Sequence, residues 1–223
     1  NGDVEIGPLT TFRGCTESPV IQKTVPVLGE AADTAGGPQL RAAGTLGGNL
    51  CNGITSADTA STQLAFGAIL RVRGPQGVRE VPISEWYQGV GKVALAHDEL
   101  LVKIVIPREN YEGFTGHYIK YAMRNAMDIA TLGTSVNVRL SADKKTVERA
   151  RVAFGVAGPV PLRAATAEAM AKGQPVSLEL AERFAQAVTA DINPRDSWRA
   201  AKDFRLHIAV ESAKRAFIES VKL

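Results

Sequence analysis

Hydrophobic and polar residues alternate in several short stretches of the chain, and this alternation predicts β-strands. Val4-Glu5-Ile6 is the first predicted strand. Residues 69–73 and 78–82 alternate on either side of a Gly-Pro-Gln-Gly turn, which is the pattern of a β-hairpin. Leu100–Ile106 is a further predicted strand, ended by a proline. The first part of the chain is therefore predicted to contain a hairpin and two additional strands.

Helices are predicted between these strands. Thr10 or Thr11 can cap a helix. The stretch Val20–Ala32 has helical character interrupted by Pro26, and Ala57–Ala65 reads as a short helix. Between these two stretches lies a glycine-rich segment, residues 44–58, which we interpret as a loop.

The pattern changes after residue 113. Residues 117–121, 134–140 and 146–156 have the lengths and spacing of an antiparallel meander. Apolar residues then recur at helical spacing in residues 178–188 and 206–221, as in amphipathic helices that pack one face on a sheet. Pro, Arg, Glu, Asn and Gly cluster between the two patterns. We therefore predict one domain over residues 1–110 and a second over residues 111–223.

Composition restricts the function classes. The 223 residues carry a net charge of +3 without a dense Lys/Arg run, which argues against a nucleic-acid-binding protein. No apolar run approaches the roughly 20 residues that span a bilayer. The two cysteines cannot form a disulfide framework and have no zinc-site spacing, which favours a reducing, cytoplasmic compartment. The sequence starts at Asn1 without a Met, so we expect that the natural N-terminus lies further upstream.

The glycine-rich segment is the most informative part of the chain. Four glycines and several short polar side chains lie within 15 residues, leaving backbone that a ligand can approach closely. Main-chain N–H groups, hydroxyls and amides together suit an anionic, hydroxyl-rich ligand such as a nucleotide cofactor. The segment has neither P-loop nor G-x-G-x-x-G spacing, so the glycines do not name the cofactor. A surface turn without a ligand is the alternative interpretation.

Three separated motifs together resemble one protein family. They are Gly37-Pro38-Gln39-Leu40-Arg41 leading into Thr45-Leu46-Gly47-Gly48-Asn49-Leu50-Cys51-Asn52, then Ile119–Ala130, then Trp198–His207. Their order and separation resemble the FAD-binding middle subunit of the xanthine dehydrogenase family of molybdenum hydroxylases, in particular the bacterial three-subunit enzymes. The resemblance extends from about Asp3 to the C-terminus.

This resemblance implies an α+β fold, in which the second half of a PCMH-type FAD-binding domain is followed by a C-terminal antiparallel sheet with packed helices. Members of the family also have an N-terminal FAD subdomain with a Leu-Ala-Gly-Gly-Thr-type loop. Nothing before Val4 matches that loop. The remaining N-terminal FAD subdomain is therefore an expected partner of this chain.

The resemblance also implies which residues contact FAD. The implied cofactor-binding residues are Gly7, Leu9, Thr10, Gly44, Thr45, Leu46, Gly47, Gly48, Asn49, Asp58, Leu100, Leu101, Ile119 and Lys120.

Each residue type has a physical reason to be in a flavin site. The N–H groups of Gly47 and Gly48 would donate to FAD, and a Lys at position 120 would stabilise negative charge on the reduced ring. Asp58 has a second interpretation as the N-cap of the following helix. Lys120 has a second interpretation as an exposed strand lysine.

The resemblance implies an FAD-carrying electron-transfer subunit. Its partners would be an iron–sulfur subunit with [2Fe–2S] clusters and a molybdopterin subunit with the molybdenum cofactor, because two cysteines cannot ligate a cluster that needs four. Electrons would pass through FAD to NAD⁺ during hydroxylation of xanthine or hypoxanthine. No catalytic acid–base pair and no metal site are predicted in this chain.

Two alternatives remain open. The first is the FAD subunit of a related carbon monoxide, nicotinate, aldehyde or aromatic-CoA enzyme. The second is a scaffold fragment that keeps the fold without redox activity.

Overall fold

The computed structural model describes residues 1–223 as ten helices and ten strands. The strands are β1 (Val4–Ile6), β2 (Ile69–Gly74), β3 (Gly77–Pro82), β4 (Tyr87–Gly89), β5 (Lys92–Val93), β6 (Leu100–Ile106), β7 (Phe114–Tyr121), β8 (Leu132–Leu140), β9 (Val147–Gly155) and β10 (Leu162–Arg163). The helices are α1 (Phe12–Glu17), α2 (Pro19–Thr24), α3 (Pro26–Asp33), α4 (Pro38–Ala43), α5 (Leu46–Cys51), α6 (Ala60–Ala65), α7 (Arg108–Tyr111), α8 (Ala165–Ala171), α9 (Leu178–Ala187) and α10 (Lys202–Val221).

The first sheet is antiparallel, with the strand order β1-β6-β2-β3. Strands β2 and β3 form the predicted hairpin, paired from Ile69↔Pro82 to Gly74↔Gly77. Side chains from this sheet and from α1, α3, α5 and α6 form one hydrophobic core, in which Trp86 and Leu70 are fully buried. Burial of these apolar surfaces is the main driving force that holds the helices on the sheet.

The second sheet has the order β10-β9-β8-β7, and β7, β8 and β9 form the predicted antiparallel meander. Helices α8, α9 and α10 cover one face of it and form a second core around Phe154, Phe184 and Phe217. The opposite face packs on α3 and α6 from the first half of the chain. Strands β4 and β5 pair in a small third sheet. Antiparallel sheets with separately placed helices constitute an α+β fold, as predicted.

Helix α6 lies between the two halves, and all six of its residues are buried. The buried Arg151 of β9 reaches across to this helix, where Nη1 donates to the carbonyl of Ala65 at 3.1 Å. Arg151 also donates to Asn110 of α7, in the 107–113 region. The predicted domain limits, residues 1–110 and 111–223, therefore divide a chain whose halves share a polar junction.

Some elements differ from the sequence-based prediction. The helix predicted from Ala57 begins only at Ala60, and the stretch Val20–Ala32 forms two helices that meet at Val25. The glycine-rich segment is not a continuous loop, because α5 occupies its centre. Thr45 caps this helix by accepting a hydrogen bond from the Gly48 N–H, which offsets the low helix propensity of the glycines. No helix combines the length and apolar character needed to cross a membrane.

Candidate cofactor-binding site

Two cavities meet at the segment that connects β7 to β8. The larger, about 670 Å³, has Thr34, Arg41 and Lys120 in its wall. The smaller, about 370 Å³, has Asn49 and Ser56 of the glycine-rich segment in its wall. Both cavities share Gly36, Met127 and Asp128. We call the two cavities together the cleft, and its size is that of typical cofactor sites.

Two of the three sequence motifs therefore face each other across the cleft. The glycine-rich segment forms one wall of the smaller cavity, and Met127, Asp128 and Ile129 form the other. Met127 and Ile129 are exposed, with 64% and 47% of their surface accessible. Exposed apolar side chains at the mouth of a polar cleft suit contact with a flat, apolar ligand surface.

Lys120 and Asp58 form a buried ion pair that joins the two cavities. The Nζ atom of Lys120 lies 3.0 Å from Oδ1 of Asp58 and donates to the Thr34 carbonyl at 3.0 Å. Only 8% of the Lys120 side chain and 13% of the Asp58 side chain are exposed. The exposed-lysine interpretation is therefore wrong. Asp58 is not a helix N-cap either, because Thr59 occupies that position of α6.

Burial raises the pKa of Asp58, while the Lys120 ammonium and the Tyr118 hydroxyl oppose that rise. The ionised form of the Asp58 carboxylate is therefore stabilised in this buried environment by Lys120. The Lys120 ammonium therefore lies at the wall of the larger cavity, while the ion pair as a whole carries no net charge.

The N–H groups of Gly47 and Gly48 are not free, which corrects the sequence-based expectation. Gly47 N–H donates to the Pro8 carbonyl at 2.8 Å, and Gly48 N–H donates to Thr45 Oγ1 at 3.0 Å. Neither glycine has a positive φ. A Cβ atom on Gly47 would lie 2.6 Å from both Cβ and O of Pro8, so glycine is required there by the close approach of another chain segment.

The free main-chain donors of the segment lie further along. The N–H groups of Ile54, Thr55, Ser56 and Asp58 donate no hydrogen bond within the protein. Gly53, just before them, has a φ of +66° and starts this irregular stretch. These donors follow α5, and three of the four residues line the smaller cavity. They supply the main-chain donors that the glycine pattern led us to expect at other positions.

Side chains complete the set of free polar groups in the smaller cavity. Asn49 Oδ1 accepts hydrogen bonds from Thr59, whereas its Nδ2 has no acceptor in the protein. The side chains of Asn52 and Ser56 also make no hydrogen bond within the protein. Amides and hydroxyls that remain available in this way match the hydroxyls and phosphate oxygens of a dinucleotide.

Residues near the first strand are brought against the glycine-rich segment. Leu46 N–H donates to the Thr10 carbonyl at 2.9 Å, and Phe12 N–H donates to the Gly44 carbonyl at 3.0 Å. The backbone of Gly7, Leu9 and Thr10 therefore runs beside Gly44–Gly47. Leu9 is 81% exposed.

The remaining predicted site residues have different environments. Leu46 is fully buried and Leu101 is 8% exposed, and both belong to the first core. Leu100 is 72% exposed at the start of β6, and neither Leu100 nor Leu101 lines the cleft. Ile119 packs against the second core.

The sequence-based list missed several residues of the cleft wall. Arg41 donates to the Gly36 carbonyl at 3.2 Å and pairs with Asp33 at 3.4 Å. Asp128 orders the opposite wall by accepting hydrogen bonds from the N–H groups of Arg124 and Ile129. Burial raises the pKa of Asp128, but these hydrogen bonds outweigh it and leave the pKa below its usual value. Arg41 and Asp128 both lie within the motifs that resemble the family, and this position in the motifs is the sequence signal that could have identified them.

An ion pair between His117 and Glu30 connects β7 to α3. Helix α3 leads into the cleft wall. His117 Nδ1 lies 3.2 Å from Glu30 Oε2, and the same carboxylate accepts from the Tyr118 N–H. The hydrogen bond that His117 donates to Glu30 raises the pKa of His117, and Glu219 of α10 adds to the rise. The pair's contribution to the stability of the folded protein is therefore complete below about pH 6.5, the ordinary pKa of histidine. It is lost as the pH rises through the raised pKa of His117.

We expect the His117→Gln substitution to lower the unfolding midpoint relative to the wild-type protein, and to lower it more at about pH 6 than at about pH 8. The effect should be below about 1 kcal/mol, because both side chains are more than one-third exposed. Thermal unfolding of both proteins at the two pH values measures it. An equal difference at both pH values would show that the pair does not titrate in this range.

Comparisons with known proteins agree with this architecture. A family model described as the FAD binding domain in molybdopterin dehydrogenase matches residues 1–109. A second, described as the CO dehydrogenase flavoprotein C-terminal domain, matches residues 117–220.

Individual relatives extend over almost the whole chain. The xanthine dehydrogenase FAD-binding subunit of Escherichia coli O157:H7 is 43% identical over 221 residues, which are 99% of this chain and 75% of that protein. The carbon monoxide dehydrogenase medium chain of Hydrogenophaga pseudoflava is 30% identical and covers 96% of this chain and 73% of its own length.

The fold has close counterparts among solved structures. Carbon monoxide dehydrogenase from Hydrogenophaga pseudoflava, in a form lacking the Mo-pyranopterin moiety of the molybdenum cofactor, matches with a TM-score of 0.92. It is 30% identical, and the match covers 100% of this chain and 76% of that chain. The chain belongs to the FAD-binding subunits of the xanthine dehydrogenase family of molybdenum hydroxylases.

Proposed function

We propose that the cleft holds FAD and that this subunit passes electrons from the iron–sulfur clusters of a partner subunit to NAD⁺. The observation that carries the proposal is the set of unused donors along one wall of the smaller cavity. The N–H groups of Ile54, Ser56 and Asp58 and the Nδ2 of Asn49 would bind the oxygens of FAD. Bound FAD would supply the exchange between single electrons and a hydride.

The chain's own residues would bind, orient and tune the cofactor. Lys120 would place its ammonium group at the cleft wall, where it would interact favourably with a cofactor that gains negative charge on reduction. Met127 and Ile129 would exclude water from one side of the site. Asp58 would act mainly by holding Lys120, since its carboxylate is paired with that ammonium.

We further propose that the complex hydroxylates xanthine or hypoxanthine in the cytoplasm. The higher identity to a xanthine dehydrogenase subunit, 43% against 30% for a carbon monoxide dehydrogenase chain, supports this choice. Two free cysteines are consistent with a reducing compartment. Partners would be the iron–sulfur subunit, the molybdopterin subunit and the remaining N-terminal FAD subdomain.

Ser56→Ala tests the site, because this hydroxyl makes no bond within the protein and its loss leaves the fold unchanged. We expect FAD affinity of the flavin-depleted complex to fall about 5- to 10-fold, the effect of one lost hydrogen bond. Fluorescence titration with FAD measures it. Ser84→Ala is the matched control, because Ser84 is exposed and distant in sequence from the cleft.

An unchanged FAD affinity in Ser56→Ala would contradict the assigned wall. Absorbance of the intact complex separates the electron-transfer function from the scaffold alternative. The proposal predicts a flavin spectrum that is reoxidised by NAD⁺, whereas a fully assembled complex without flavin would support a scaffold.

A further inference from the structure

A polar cavity outside the cleft lies on the side of the second sheet where β9 and β10 meet α8. Its volume is about 500 Å³. We call it the arginine groove, and its charged lining residues are Arg139, Glu148, Arg149, Arg163, Glu168 and Lys172.

Only some of these charges are paired. Arg139 Nε lies 3.0 Å from a Glu148 oxygen, and Arg163 forms a two-bond pair with Glu168. Arg149 and Lys172 make no salt bridge and no side-chain hydrogen bond with the protein. The groove thus contains two carboxylates, both engaged, and two cationic side chains that remain available.

A buried arginine behind the groove increases the excess positive charge. Arg151 is 2% exposed, and its Nε atom has no hydrogen-bond partner. Its guanidinium lies 5.3 Å from the centre of the Phe114 ring, and that of Arg139 lies 5.2 Å from the same centre. Burial lowers the pKa of Arg151 to about 10, and the charges of Arg149, Arg163 and Arg139 contribute. Positive charge of this density is costly unless an anion offsets it.

The groove is separate from the cleft. Phe114 and Lys120 lie at opposite ends of the same strand, β7. Six residues of extended strand span about 20 Å. A ligand in the groove would therefore not share contacts with a cofactor beside Lys120.

We propose that the arginine groove binds a doubly charged oxyanion of the phosphate class, with Arg149 and Lys172 as the direct donors. A guanidinium presents two parallel N–H groups that match two phosphate oxygens, and an ammonium adds a compact point charge. Arg139 and Arg163 add positive potential while keeping their carboxylate partners. The volume admits free phosphate or the phosphate group of a larger molecule.

Calorimetric titration of the intact complex at matched ionic strength tests this inference. Inorganic phosphate should bind saturably with a Kd of about 1 mM or lower, and chloride should not compete. Phenyl phosphate is the second probe: tighter binding than inorganic phosphate identifies a phosphomonoester ligand, and equal or weaker binding identifies the free ion. Arg149→Gln and Lys172→Gln should each weaken binding at least about 10-fold, as expected for a charge-assisted contact.

Two controls separate the groove from general electrostatics and from the cleft. Lys23→Gln removes an exposed charge elsewhere, and Ser56→Ala alters the cleft without changing the fold; both should leave phosphate affinity unchanged. Absence of saturable phosphate binding, or equal affinity in Arg149→Gln, would overturn the inference. Tighter binding of a hexaglutamate peptide than of either phosphate probe would also overturn it, in favour of an acidic protein partner.

Discussion

Replacement of Lys120 by methionine is expected to lower the free energy of unfolding by about 3–5 kcal/mol. Methionine keeps much of the side-chain volume but leaves the Asp58 carboxylate buried without its counter-charge. The pKa of Asp58, which burial already raises, should rise further because the opposing ammonium is gone. Denaturant unfolding of the purified chain measures the loss.

Two companion variants make this result specific. Lys103→Met removes a half-buried surface lysine that pairs with Glu5 at 2.7 Å, and its effect should stay within about 1 kcal/mol. The double variant Lys120→Met/Asp58→Asn should lose less stability than Lys120→Met alone, because no unpaired buried charge remains. If Lys120→Met costs no more than Lys103→Met, the pair at the cleft does not have the buried character described above.

Gly47→Ala is expected to have the second largest effect. An added Cβ atom would lie 2.6 Å from the carbonyl oxygen of Pro8, which is itself the acceptor for the Gly47 N–H. Relief of this overlap must separate α5 from the segment after β1, at a cost of about 1–3 kcal/mol. We also expect the assembled complex to retain less FAD, since Gly7–Thr10 would shift relative to the glycine-rich segment.

Gly48→Ala is the matched control for this prediction. Its Cβ atom would meet only Thr45 Oγ1, at 3.0 Å, on an exposed side of α5. Stability should change by less than about 1 kcal/mol, because alanine favours the helix while the capping contact is crowded. Unfolding curves and flavin content are measured for both variants. Loss of flavin in a stably folded Gly48→Ala variant would show that a ligand contacts this position closely.

The sequence predicted the hairpin and the meander well because the residue patterns that favour these strands are local in the chain. The hairpin at residues 69–82 follows from strand alternation around a Gly-Pro-Gln-Gly turn, and the meander follows from three successive strand-like stretches joined by short connections. Separated motifs identified the family, since their order carries more information than any one of them.

Helix α5 was missed because its formation depends on non-local contacts. Its sequence, Leu-Gly-Gly-Asn-Leu-Cys, has low helix propensity. The buried Trp86 donates from Nε1 to the Leu50 carbonyl at 3.1 Å, and Gly47 is held by Pro8. Such contacts join residues that are far apart in the chain, so no window of sequence contains them.

The same limit applied to the candidate site. The sequence selected Asp58 and Lys120 separately, but their pairing across 62 positions is a product of the tertiary fold. It also favoured Gly47 and Gly48 as donors, whereas hydrogen bonds to Pro8 and Thr45 occupy those groups. The free donors at residues 54–58 emerge only when every main-chain hydrogen bond of the segment is assigned.

A crystal structure of the intact complex with FAD bound would decide whether the cleft is the flavin site. We expect flavin density in the cleft, within hydrogen-bond distance of Ser56 or Asn49 and with Lys120 beside the cofactor. Flavin density elsewhere in the complex, with side chains of a partner subunit filling this cleft, would contradict it.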